Sequence, residues 1–305
     1  MYYNVNLYLM KFIKITISTC IAFLLLFSIS NASNLDNRLI SYVNNIANSI
    51  SGSVSSIFKD NDRVKYLDLS LGVQENYKPT LSLMNVNKVS ETKNGVFFNQ
   101  NSLSLHDNDQ TINIGFGHRS LLNEDKVILG VNAFVDYSFD EQHQRQGAGI
   151  EVISSVFDLR GNFYDATSGI QTLGDGGTEE ALDGWDSRLD YHLPISYDVR
   201  LFGSIFEFEN AAGNYELKGE KYGLNAIVDR LNIELGYVDD NKTGDGSFAK
   251  ISYRIPLGET ITENKKTNSL FEYVSVEDRL YEPVKRENKI RVVKISAANI
   301  VVSGF

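Results

Sequence analysis

The sequence predicts an all-β protein, a twelve-stranded antiparallel transmembrane β-barrel of the outer-membrane type. The composition favours strands and turns, because the 305 residues include 16 tyrosines, 17 phenylalanines and 23 glycines but only 4 prolines. After Arg63 the chain consists of short runs in which apolar and polar residues alternate. An export signal at the N-terminus offers a route to an outer membrane.

Each alternating run is bounded by turn residues such as glycine, asparagine and aspartate. The predicted strands are 64–75, 78–88, 95–106, 110–120, 126–138, 143–154, 156–166, 182–191, 197–208, 214–227, 231–239 and 246–257. An even number of strands, mostly about 9 to 12 residues long, is what a bacterial outer-membrane barrel needs.

The fifth predicted strand indicates which face meets which solvent. Every second residue is apolar, and the series is Val127, Leu129, Val131, Ala133, Val135 and Tyr137. A soluble sandwich could have the same period, with its polar faces in water. The polar faces here are instead rich in glycine and in charges of both signs, as expected of side chains that share a narrow hydrated lumen. The charged residues of this set are Arg119, Asp136, Arg145, Glu151, Arg160, Asp186, Arg188, Glu234 and Arg254.

The N-terminus predicts a secretory signal peptide over residues 1–32. Lys11 and Lys14 precede an apolar stretch at 15–29, and Ser30-Asn31-Ala32 supplies small residues for cleavage. An uncleaved membrane anchor is the alternative, and either Met1 or Met10 could be the start. The single cysteine, Cys20, lies inside this segment, so thiol catalysis and disulfides are not expected of the mature chain.

Residues 33–62 are predicted to form a periplasmic helical segment, because apolar residues recur there at helical spacing. The barrel is assigned to 63–258. Connections after even-numbered strands are short, at 123–125, 154–155, 194–196 and 229–230, and should face the periplasm. The longest connection, 167–181, should face outward, and within it "GDGGT" at 174–178 is expected to be a flexible surface loop.

No catalytic residue, metal or cofactor is predicted, and the protein is not expected to be an enzyme. The formal net charge of −10 argues against nucleic acid as a partner. One catalytic alternative places Asp136, Asp140, Glu141 and His143 at an outward rim as a hydrolytic site. Tyrosines near strand ends, such as Tyr66 and Tyr137, are expected to anchor the barrel at the membrane interfaces.

An ordered series of motifs resembles the translocation domain of inverse autotransporters, the intimin and invasin family. The series includes "GFGHR" at 115–119, "LGVNAFVDY" at 129–137, Arg145 with Gly147, Gly149 and Glu151, "GTEEALDG" at 177–184 and "KISYRIPLG" at 250–258. Residues assigned to the lumen lining are Arg119, Gly130, Asn132, Asp136, Arg145, Gly147, Gly149 and Glu151.

The resemblance implies a bacterial outer-membrane barrel that delivers a C-terminal passenger to the cell surface. It implies a pore linker at 259–289, with a junction at Arg286, Glu287 and Asn288, and leaves 290–305 as a passenger stub. Implied partners are outer-membrane lipid, the barrel-assembly machinery and periplasmic chaperones, with a homodimer as a further possibility. The alternatives are a small outer-membrane channel or rim-active barrel enzyme that no longer secretes, and a truncated adhesin.

Overall fold

The computed structural model describes residues 62–75, 79–106, 109–174, 176–195, 198–228, 230–255, 257, 272–295 and 300–303. Residues 62–255 with 259–305 form one compact unit, and 1–61 with 256–258 form a second, of which only Leu257 is described. The predicted signal peptide and, except for Asp62, the predicted helical segment therefore lie outside the described residues.

Antiparallel strands account for most of the described chain. Twelve of them close into a barrel, β1 (Val64–Gln74), β2 (Thr80–Thr92), β3 (Gly95–His106), β4 (Asp109–Leu122), β5 (Val127–Ser138), β6 (Gln144–Ser154), β7 (Phe157–Ala166), β10 (Asp183–His192), β11 (Asp198–Glu209), β12 (Glu216–Val228), β13 (Leu231–Asp240) and β14 (Gly244–Arg254). A separate small sheet contains β8 (Gln171–Thr172), β9 (Thr178–Ala181), β15 (Val292–Ile295) and β16 (Ile300–Ser303).

The barrel closes where β1 pairs with β14, in a register that places Asp68 opposite Arg254 and Gln74 opposite Phe248. Every other neighbouring pair is also antiparallel, so the predicted twelve-stranded barrel is confirmed. The helical structure among the described residues is one 3-10 turn at Glu277–Arg279. In the same part of the chain, no helix has the length and apolar character needed to cross a membrane.

Alternating side chains give the barrel an apolar outside and a polar inside. On β5 the outward residues Leu129, Val131 and Val135 are 47%, 52% and 59% exposed, whereas Phe134 and Asp136, which flank Val135, are buried. The same parity exposes an outer belt on neighbouring strands, including Ile114, Phe116, Ile150, Leu159, Phe163, Leu189, Leu201 and Ile205. Because these apolar side chains face away from the barrel, the core lies inside it and lipid can cover the outside.

Tyr66 does not belong to the outer face. It has the parity of Asp68 and Ser70, its hydroxyl donates to Asp68 Oδ2 at 3.1 Å, and its ring packs on the internal apolar cluster around Phe98. The prediction of an interfacial anchor at Tyr66 is therefore wrong, since it rested on position near a strand end and ignored the parity of the strand.

The connection between β7 and β10 is more ordered than the sequence suggested. Strands β8 and β9 form a small hairpin in it, and β9 also pairs with β15, with Glu179 opposite Lys294. The sequence did not predict these strands, because the partner strand β15 comes from more than a hundred residues away and local sequence does not reveal it. Gly174, Gly176 and Gly177 of the predicted flexible loop lie between β8 and β9. At the other end of the barrel, Asn123, Glu124 and Asp125 all have positive φ and make the tight turn between β4 and β5.

An arginine at Val131 should destabilise the barrel. Val131 lies at the centre of β5 with an outward side chain, so the guanidinium would enter hydrocarbon and cost about 2–4 kcal/mol near the midplane. Urea unfolding of the barrel in lipid vesicles measures the loss. Val131→Leu is the matched control and should unfold like the parent chain; equal stability of Val131→Arg would contradict the outward assignment.

Candidate functional site in the barrel lumen

A C-terminal segment, residues 274–291, runs through the barrel, and we term it the lumen segment. Its N-terminal end contacts two turns, because Val274 N donates to Ser155 Oγ at 3.0 Å and Val276 N donates to the Asp125 carbonyl at 2.7 Å. At its other end the Arg291 carbonyl accepts from Leu182 N at 2.9 Å, just before β15 joins β9. Those turns and β9 lie at opposite ends of the barrel strands, so the segment traverses the lumen.

Side chains on the inner wall hold the main chain of the lumen segment. Two arginines each donate hydrogen bonds to two carbonyl groups. Arg119 donates to the carbonyls of Leu280 (2.8 Å) and Glu282 (2.6 Å). Arg145 donates to the carbonyls of Glu287 (2.6 Å) and Lys289 (3.0 Å). These bonds replace the neighbouring strand that an extended chain would otherwise need, since a buried backbone group without a partner is costly.

Neutral side chains complete this main-chain contact. The amide of Gln100 accepts from Val284 N at 2.7 Å and donates to the Val284 carbonyl at 3.4 Å. Further bonds join Asn162 to the Lys285 carbonyl, Asn113 to the Asn288 carbonyl, and Glu287 N to the Tyr164 hydroxyl. Backbone groups are the same in every residue, so these contacts depend little on which side chains the segment carries.

One charge cluster joins the N-terminal half of the lumen segment to the barrel wall. Asp158 of β7, fully buried, accepts two hydrogen bonds from Arg279 at 2.9 and 2.7 Å. Arg160 and Arg200 also reach this carboxylate, at 3.2 and 3.4 Å. Glu282 adds a second carboxylate, 2.8 Å from Arg279 and 3.3 Å from Arg200. Wall and segment therefore each contribute charges of both signs.

A second cluster holds the predicted junction. Arg286 makes a bidentate pair with Asp136 of β5, at 2.8 and 2.7 Å, and Arg145 bonds the same carboxylate at 2.8 Å. The Arg286 guanidinium stacks over the Phe134 ring, 4.3 Å from its centroid. Gly147 leaves room for it, because a Cβ there would lie 3.1 Å from Arg286 Nη2.

The structure places all eight residues assigned to the lumen lining on inward faces of β4, β5 and β6. Arg119 Nε pairs with Glu151 Oε1 at 2.7 Å. Gly130 leaves space for the Glu151 side chain, since a Cβ at residue 130 would lie 2.6 Å from Glu151 Cγ. Asn132 and Gly149 lie side by side in register. Of the junction residues, Glu287 pairs with Arg291 at 2.7 Å, and Asn288 contributes its carbonyl to Asn113.

Several contact residues were missed from the sequence, notably Gln100, Asp158, Arg200 and Arg279. The signal for the first three was their inward parity on β3, β7 and β11, the same test that found Asp136. No comparable signal marked Arg279, which lies in a 3-10 turn outside any periodic element.

The alternative of a hydrolytic site at the outward rim, formed by Asp136, Asp140, Glu141 and His143, does not match the observed hydrogen bonds of His143 and Asp136. His143 is buried, with Nδ1 3.0 Å from Ser168 Oγ and Nε2 3.1 Å from Glu179 Oε1, whereas Asp136 is occupied by arginines. The histidine thus connects β9 to the connection that precedes it instead of pairing with Asp136.

Comparison with known proteins agrees with this geometry. The sequence profile of the inverse autotransporter β-domain matches residues 27–288. The chain belongs to this family. As an inverse autotransporter β-domain with a closed twelve-stranded barrel, it is a protein of the bacterial outer membrane.

Two kinds of relative accompany this assignment. An attaching and effacing protein homolog of Escherichia coli (strain K12) is 32% identical over 108 residues, which are 35% of this chain and 36% of that protein. A chain solved in work on the in-meso crystallization of membrane proteins has the same fold, with a TM-score of 0.64 at 20% identity, over 75% of this chain and 99% of that one. The KdgM porin is more distant, with a TM-score of 0.44 at 7% identity, over 62% of this chain and 98% of the porin.

Loss of the Asp158 charge should weaken the barrel strongly. Asp158→Asn leaves Arg160, Arg200 and Arg279 with Glu282 as their remaining shared carboxylate, and removing one partner of a buried cluster costs about 3–5 kcal/mol. The free energy of unfolding in lipid vesicles measures this.

Asp186→Asn is the matched control for that variant. Asp186 also faces the lumen, but its carboxylate accepts from the neutral groups of Asn162 and Tyr164. The oxygen of an asparagine can still accept from Asn162, and its NH2 group can donate to the Tyr164 hydroxyl oxygen, so the cost should stay at about 1 kcal/mol. Equal losses in the two variants would contradict a central role for the Asp158 cluster.

Proposed function

We propose that this inverse autotransporter barrel is a translocator that exports the C-terminal part of its own chain and displays it at the cell surface. The observation that carries the proposal is the path of the lumen segment, from the turns at Asp125 and Ser155 to the strand β9 at the opposite end. A chain that has been exported from the periplasm through the barrel would lie along this path, from one end of the barrel to the other.

The contacts of the lumen segment suit a transport path. Polar side chains on one wall bind carbonyl and amide groups, which every passing chain presents in the same way. The paired charges at Asp158 and Asp136 are specific to Arg279 and Arg286. We infer that the main-chain contacts guide the chain and that the two charge clusters stop it in its final register.

The small sheet outside the barrel supports display at the surface. As the chain emerges after Arg291, Val292–Ile295 pairs with β9, and Lys294 Nζ reaches Glu179 Oε2 at 2.8 Å. Glu179 is itself fixed by His143. A strand that gains partners outside the pore loses them if it slips back, so this pairing favours the exported state.

The remaining assignments belong to the same proposal. Residues 1–32 act as a cleaved export signal, 259–289 act as the pore linker, and residues after the junction at Arg286, Glu287 and Asn288 belong to the exported part. Outer-membrane lipid surrounds the apolar belt, and the assembly machinery and periplasmic chaperones deliver the chain. Adhesion, suggested by the family resemblance, would reside in the exported part, and no residue is assigned covalent chemistry.

A peptide tag fused after Phe305 should be exposed on intact cells. Antibody binding before and after permeabilisation of the outer membrane measures it. The matched control deletes residues 259–305 and fuses the tag after Gly258, which should leave the tag in the periplasm because β14 ends on that side. A tag that becomes accessible only after permeabilisation in both chains would overturn the translocator proposal.

Deleting residues 259–305 should raise single-channel conductance, because it frees the part of the lumen that the segment occupies. Planar bilayer recordings of the purified barrel measure the change. Deleting only 296–305 keeps the lumen segment and should leave the conductance of the full chain. If the longer deletion does not alter the current, the lumen segment does not obstruct the pore, and a simple channel becomes the better candidate.

A further inference from the structure

The lumen segment lies against one side of the barrel. The hydrogen bonds and ion pairs described above join it to β3, β4, β5, β6, β7 and β11, and Lys285 adds β10 through Asp190 at 3.0 Å. In the closed sheet these are seven consecutive strands. The opposite wall, formed by β12, β13, β14, β1 and β2, borders open space, apart from Tyr66 and Val86, which pack on the apolar cluster that includes Leu280 and Val284.

That space is a cavity of about 910 Å³. Its lining includes Tyr66, Arg254 and the turn residue Arg230 towards the periplasmic end of the barrel, and Gln74 and Thr80 towards the other end. Tyr66 and Gln74 are on the same strand, and an extended chain rises about 3.3 Å per residue, so the cavity follows β1 for about 26 Å. A space of this length and volume forms a path beside the segment along most of the barrel.

The open wall carries cations that form no close ion pair with a carboxylate of the described residues. Within the described chain no ion pair involves Lys221, Lys250, Arg230 or Arg254, all of which line the cavity. Lys221 lies over the rings of Phe206 and Phe248, at 5.5 and 5.9 Å, and Arg254 lies over Tyr66 at 5.0 Å. Lys250 is exposed although it points into the barrel, so it borders open space.

Most of the carboxylates that line the cavity form ion pairs with arginines. Arg188 holds Glu234 at 2.8 Å, Arg200 holds Asp198 at 3.1 Å, and Arg291 holds Glu287 at 2.7 Å. Glu282 belongs to the Arg279 cluster. Asp68, Asp186 and Asp278 remain, and the first two are hydrogen-bonded to neutral groups, a tyrosine hydroxyl in each case. Among the described residues of the open wall itself, four cations without an ion pair therefore accompany one such carboxylate, Asp68, so the unbalanced charge of this wall is positive.

We propose that this half-lumen is a solute path selective for small inorganic anions, of the chloride and phosphate type, and that it is open while the lumen segment is in place. Unpaired lysine and arginine side chains in a narrow passage raise the local concentration of anions and select them over cations. This activity goes beyond protein export, and it needs the segment to leave one wall free.

The test is ion selectivity of the full chain in a planar bilayer under a potassium chloride gradient. We expect a reversal potential of the sign that indicates chloride preference. Lys250→Glu combined with Arg254→Gln should lower the chloride-to-potassium permeability ratio by about two-fold or more, because local ion concentrations follow the charge of the lining. Inorganic phosphate, added as a second probe, should reduce chloride current in the parent chain and less so in this variant.

Lys218→Glu is the control, since Lys218 is an exposed lysine paired with Glu216 on the outer face of β12, and its replacement makes the same charge change as Lys250→Glu, but away from the cavity. It should keep the parent selectivity. A non-conducting full chain, a cation preference, or a ratio unmoved by the lumen variant would overturn the proposal. Export is judged separately, by the tag and by the conductance gain on deletion, so a failure of selectivity leaves those outcomes unaffected.

Discussion

The need to pair every backbone amide and carbonyl inside a hydrocarbon layer governs this structure. An open sheet would expose unpaired groups along two edges, and closing it through β1 and β14 removes both. In the closed barrel, alternate side chains of each strand then face lipid on the outside and the polar lumen on the inside. Leu129 and Val131 meet lipid because they are outward, and Asn132 and Asp136 share the lumen because they are inward. The polar lumen is thus a consequence of the closed hydrogen-bond ladder.

The same requirement applies a second time, inside the barrel. Over residues 280–289 the lumen segment has no strand beside it, so most of its backbone groups depend on side chains. Arg119, Arg145 and Gln100 supply those partners from three different strands. Arg279 and Arg286 then find carboxylates on the wall. Wall and segment are therefore interdependent, because each would leave buried charge uncompensated without the other.

The one-sided position of the segment explains two further features. Glycines such as Gly130 and Gly147 lie on the occupied wall, where Glu151 and Arg286 need the space of a missing side chain. The opposite wall retains Lys250 and Arg254 beside an open cavity. Outside the barrel, Glu179 connects His143 to Lys294 and so joins the emerging chain to the connection between β7 and β10.

The sequence by itself determined the barrel, its twelve strands and the faces of those strands. The alternation of apolar and polar residues is a local pattern, so the neighbours of Val131 and Asp136 along the strand are enough to place the first towards lipid and the second towards the lumen. The parity of Gln100, Asp158 and Arg200 placed them on the inner faces, yet nothing local indicated that the lumen segment would meet them. Only the tertiary structure decided which wall the segment occupies, that β15 pairs with β9, and that Arg279 joins Asp158. These contacts link residues more than a hundred positions apart, and their partners become neighbours only after the sheet has closed.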